Sequence, residues 1–182
     1  REQKSIDLLS SHYIITRIVD CLIIQKSGNK MKTVTYSHRN GQEVIPSNVL
    51  TGLISVLTQI NFVLERYTIS DLRNEVLLSL KTKGWSDNIF LDRGSKISIT
   101  GENERCGLCL QTGNVSRVYA DLLKLQTLFV QGKIKAGIII VPTTTCAKSY
   151  TSNAATYERL SRELTIFSQV ITMPLIIIGF YN

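Results

Sequence analysis

Apolar residues along this chain change period several times, and each change marks an element. In the first 30 residues the pairs Ile14-Ile15, Ile18-Val19 and Leu22-Ile23 recur near every fourth position, which predicts an amphipathic helix, with a loop over Lys26 to Lys30. From Lys32 the text alternates: Val34 and Tyr36 share one side of a short strand, and Asn40-Gly41 is a pair suited to positive backbone angles in a turn. Pro46-Ser47 can open a helix, capped by Ser47 or Asn48, through Leu50, Leu53, Ile54, Leu57, Ile60 and Leu64. A second helix is expected from the cap candidate Ser70 through Leu72, Val76, Leu77 and Leu80 to Gly84, with Lys81 and Lys83 complementing its dipole. Asp87 to Ser95 is polar and turn-rich and reads as a loop.

Lys96 to Val141 then reads as strand, turn, strand, helix and buried strand. The helix carries one apolar stripe, Val115, Val118, Leu122, Leu125 and Phe129, and ends at Gly132. Its opposite face holds Arg117, Asp121 and Lys124, with Arg117 and Asp121 four apart and able to pair on the surface. Lys135 to Val141 is a continuous, AGIIIV-like apolar run, as expected of a strand covered on both faces, and Pro142 closes it. Thr143 to Asn153 reads as a loop. Asn153 is the cap candidate for a helix through Tyr157, Leu160, Leu164 and Phe167, with Glu158 and Arg162 paired. Leu175 to Phe180 is a last buried strand. Strand, helix, strand, helix, strand implies parallel crossovers, so the expected class is α/β, a mixed central sheet flanked by helices in a single domain.

Composition adds bounds. The 182 residues, 43% apolar and 19% charged, suit one globular domain with a sizeable core. The excess of 21 Lys and Arg over 14 Asp and Glu gives a net charge of +7, which favours a polyanion such as DNA through counterion release. Four cysteines, at 21, 106, 109 and 146, do not make a disulfide framework in a chain this large, so reduced thiols in a cytoplasm are the expectation. The most apolar early run, Tyr13 to Ile24, is broken by Arg17 and Asp20, so no membrane span is expected.

Three phrases carry a more specific signal: YSHRNGQE from Tyr36, LKTKGW from Leu80, and LCLQTGN from Leu108 with the helix RVYADLLKLQ after it. In this order they resemble the type II restriction endonucleases of the BglII and BstYI kind, a branch of the PD-(D/E)xK nucleases. The resemblance covers Met31 to Asn182 and leaves residues 1–30 as an N-terminal extension. It implies a restriction-endonuclease-like fold, a homodimer gripping duplex DNA, magnesium-dependent phosphodiester hydrolysis, and a cognate DNA methyltransferase protecting the host.

Hydrolysis of a phosphodiester by this route needs hard divalent metal held by carboxylates, which makes a bound water nucleophilic and stabilises the developing charge. The family places one acid at a strand turn and a second on the next strand, followed two residues on by Gln. Those places fall on Thr100, Cys109 and Gln111. Only the Gln is kept. A hydroxyl is a weak neutral ligand, and a thiolate selects softer metals than magnesium. Rescue is conceivable from Glu102 and Glu104 in the intervening turn, or from Asp92 folding over. For phosphate contact the candidates are Asn114, Arg117 and Lys124, the last two being alternatively surface charges paired with Asp121.

Cys106 and Cys109 also form a C-x-x-C. Along a strand, residues three apart face opposite sides, so a redox or zinc role is disfavoured and small buried side chains are expected. His38 is expected to bond local backbone at its turn. Two readings follow: a restriction endonuclease homologue with a degenerate cleavage centre, or a non-catalytic DNA-binding or dimerising protein on the same fold.

Overall fold

The computed structural model describes residues 30–60 and 68–182, so the helix expected before Lys30 and the position of Leu64 lie outside the described residues. Five strands make the central sheet in the order β1-β7-β6-β5-β4: β1 (Lys32–His38), β4 (Gly101–Asn103), β5 (Cys106–Leu110), β6 (Ala136–Pro142) and β7 (Leu175–Tyr181). β5, β6 and β7 run parallel, while β1 and β4 lie antiparallel at the two ends. The apolar runs of β5 and β6 are buried at every position because helices cover both faces. Crossover helices α4 (Val115–Val130) and α6 (Tyr157–Ile166) join the parallel strands and pack on one face. Helices α2 (Ser47–Gln59) and α3 (Ile69–Thr82) cover the other with Met31, Trp85 and Phe180. Short helices α1 (Gly41–Val44) and α5 (Thr144–Lys148) follow β1 and β6.

The mixed sheet between helices agrees with the pattern of elements in the sequence, but several local expectations do not hold. The polar stretch after Asp87 is not all loop: Ile89–Asp92 forms β2, antiparallel to β3 (Ile97–Ile99), in a second, two-stranded sheet. Its single alternation was too short to stand out among turn residues. α5 interrupts the loop expected after Pro142, capped by the Thr143 hydroxyl. Thr68, rather than Ser70, caps α3 in a reciprocal box with Asp71, and Thr156, rather than Asn153, precedes α6. Neither Ser47 nor Asn48 caps α2; Pro46 stands at its N-cap, without a side-chain bond.

At the first turn, Arg39 and Asn40 take the left-handed angles, φ 47 and 58, and Gly41 does not. Gly41 serves close approach instead, since a Cβ there would sit 2.6 Å from the carbonyl carbon of Leu175. His38 bonds distant rather than local backbone. Its Nε2 is 2.9 Å from the Ile171 carbonyl, tying the end of β1 to the segment entering β7. Glu158 does not pair with Arg162: it accepts from the amide and hydroxyl of Thr144, and the ion pair on α6 is Arg159 with Glu163 at 2.8 Å.

Candidate active-site cleft

The strand that enters the site changes sheets at Thr100. β3 pairs with β2, β4 pairs with β5, and Thr100 is the residue between them. Its amide donates to the Leu108 carbonyl at 2.8 Å, and its hydroxyl oxygen accepts from the Leu110 amide at 3.0 Å. Position 100 is thereby stitched to the end of β5. Period-two alternation then turns Cys109 and Gln111 to the same side, and all three line one cleft of about 510 Å³. The three positions that the resemblance groups together therefore share one cleft.

Its chemistry differs from a metal site. The Cys109 thiol is buried, and burial first, then the nearby Asp121 charge, pushes its pKa far above the ordinary range, so it is a neutral thiol at working pH. Gln111 is held at both ends: Nε2 donates to Asp121 Oδ2 at 2.9 Å, and Oε1 accepts from the Gly113 amide at 3.0 Å.

Asp121 is the residue the sequence reading misplaced. It is 6% exposed, not a surface partner of Arg117, and its Oδ1 accepts from Lys124 at 2.9 Å. The signal was available, since 121 falls three residues after Val118 and four before Leu125, within the buried stripe of α4. Arg117 is exposed and makes no side-chain hydrogen bond or ion pair among the described residues, but it lines the cleft with Lys124. Arg73, on α3, was not anticipated. It enters the cleft from the other side and donates from Nη1 to the Leu110 carbonyl.

The conceivable rescue acids do not converge here. The Glu102 carboxylate accepts from the Arg105 amide, Glu104 accepts from Asn48 Nδ2 at 2.6 Å, and Asp92 accepts from the Ser95 amide at 2.6 Å. None of the three lines the cleft. Asn114 caps α4, its Oδ1 accepting from the Ser116 amide at 2.8 Å and hydroxyl at 2.9 Å. The cysteine pair divides as alternation requires: Cys106 packs into one core and Cys109 into the other.

The magnesium ion implied by the resemblance does not fit this donor set. Thr100 offers a hydroxyl oxygen already accepting an amide, Cys109 a protonated thiol, and Asp121 a carboxylate bonded on both oxygens. Facing them are three cations, Arg73, Arg117 and Lys124.

The architecture is that of a restriction endonuclease. The crystal structure of restriction endonuclease BglII complexed with a DNA 16-mer superposes with a TM-score of 0.71 at 13% identity, covering 81% of this chain and 75% of that one. The crystal structure of free BglII gives 0.66 at 14% identity, covering 83% and 80%. The family model for restriction endonuclease BglII/BglIII matches residues 33–180. The chain belongs to the BglII restriction endonuclease family. No curated protein matches it by sequence.

Proposed function

We propose that this protein binds duplex DNA through the family's cleft and does not hydrolyse it. The observation that supports the reading is the donor set at Thr100, Cys109 and Gln111, which lines one cleft and offers a hydroxyl and a buried thiol where the resemblance implies carboxylates. Cleavage in this architecture depends on a metal-activated water, and a cleft with one engaged carboxylate among three cations repels the ion that would supply it. Retention of duplex binding is supported by the positive charge of the whole chain, +7, and by the fold shared with a protein crystallised on a DNA 16-mer. The homodimer and the cognate methyltransferase belong to the same proposal and rest on the family resemblance. Sizing of the free protein and of its DNA complex tests the dimer.

The direct test incubates the protein with a set of plasmids in magnesium, and measures cleavage beside duplex affinity over a salt series. Binding that weakens steeply with salt, without nicks or cuts, is the expected result. Site-specific, magnesium-dependent cuts by the unaltered protein would overturn the reading in favour of an active nuclease.

A further inference from the structure

We propose that the former metal pocket is an oxyanion pocket, in which Arg73, Arg117 and Lys124 take a phosphate group directly, with no divalent ion between. The inference rests on the reading of this chain as a DNA-binding protein and names what the cleft recognises. Three features point to it. First, the cations come from separate elements, Arg73 from α3 and the other two from positions about two turns apart on α4, and line a single concavity. Arg117 and Lys124, seven residues apart, share a helix face by periodicity alone, so the telling contribution is Arg73, which lines the same cleft from a different helix.

Second, two of them are held in place while keeping donors to spare. An arginine carries five N–H groups, and the bond to the Leu110 carbonyl uses one of them. An ammonium carries three, and the Asp121 contact at 2.9 Å uses one of Lys124's. Third, among the described residues the one carboxylate lining the cleft is turned inward. Asp121 is buried, with Gln111 on one oxygen and Lys124 on the other, so it acts as a strut for the lysine rather than as a ligand for an incoming cation. Thr100 adds a neutral group: its oxygen accepts from the Leu110 amide, and its own O–H remains a donor. Such a site prefers a small, multiply charged oxyanion, and charge-assisted bonds to phosphate are its natural content.

The phosphate can be free or part of a duplex backbone, and two arms separate these sources. In the first, inorganic phosphate is titrated against sodium chloride at matched ionic strength, with thermal melting as readout. In the second, anisotropy of a labelled duplex is followed in EDTA and in magnesium at equal ionic strength. Both arms use the native protein, Arg117→Gln and Lys124→Gln. Arg117 has no partner to lose among the described residues, so its variant keeps the test valid even where Lys124→Gln disturbs Asp121.

Phosphate is expected to raise the native melting temperature above the chloride control, with the half-effect concentration about tenfold higher in each variant. Duplex affinity in EDTA is expected to equal or exceed that in magnesium. Equal responses of native protein and both variants to phosphate, or duplex binding that requires magnesium, would overturn the pocket. Duplex binding that survives in both variants alongside an absent phosphate response sinks the pocket and leaves the DNA reading standing. A specific phosphate response with no duplex binding does the reverse.

Discussion

At the scale of single residues, the proposed function turns on Thr100 and Cys109, the two positions where the resemblance implies carboxylates; both line the cleft and each is built into its surroundings. Thr100→Asp with Cys109→Glu brings three carboxylates, with Asp121, against three cations. Magnesium-dependent cleavage of plasmid by this double variant is the expected outcome, absent in the native protein. A double variant that binds duplex as the native protein does, yet never cuts, would mean the two positions are misassigned. Gly41 is a separate residue-scale case. Any side chain there meets the Leu175 backbone, so Gly41→Ala is expected to destabilise by roughly 1–3 kcal/mol or more in a denaturant melt, the usual range for overpacking. Composition and periodicity showed a glycine in a turn phrase but not the strand that passes beside it.

At the scale of elements, burial and local pairing set both what was legible and what was not. β6 and β7 were readable as unbroken apolar runs, and the stripe of α4 because it is long and keeps one period throughout. β2 was not, because four residues with half-exposed side chains are decided by pairing with β3 rather than by their own pattern. The same distinction governs the site. Thr100, Cys109 and Gln111 belong to one hairpin-like stretch, and the resemblance carried by the LCLQTGN phrase could pick them out along the chain. Arg73 reaches the cleft from another helix, and Asp121 was misassigned because a charged residue was given to the polar face although its position lies on the apolar one.

Two element-scale outcomes follow. Thr68→Ala removes the hydroxyl half of the α3 capping box and is expected to cost about 1 kcal/mol in denaturant unfolding. Burial raises the Cys106 thiol in β5 and the Cys146 thiol in α5 from an ordinary 9.0 to about 11. Both groups hold their protons more tightly when folded. Their stabilising contribution is therefore full below pH 9 and is lost as pH rises towards 11, because the unfolded thiols ionise first. The melting temperature should fall as pH rises from 9.0 to about 11, and Cys106→Ala should flatten part of that fall; an unchanged slope in this variant would contradict the assignment.

At the scale of the whole molecule, the family fold is combined with a cleft lined by three cations and one buried carboxylate. The parallel strands and the two helical layers bring Thr100, Cys109 and Gln111 to one cleft. What those strand ends present is now a cationic surface around one internally paired carboxylate. Among the described residues no group of three acidic, cysteine or histidine side chains is arranged to hold a metal ion, and none of the helices is long and apolar enough to cross a membrane.

The most direct measurement is a manganese titration followed by electron paramagnetic resonance, with manganese standing in for magnesium, on the native protein and on Thr100→Asp with Cys109→Glu. The native protein is expected to leave the free-ion signal undiminished, and the double variant to quench it with a defined stoichiometry. Stoichiometric quenching by the native protein, abolished by Asp121→Asn, would contradict the account.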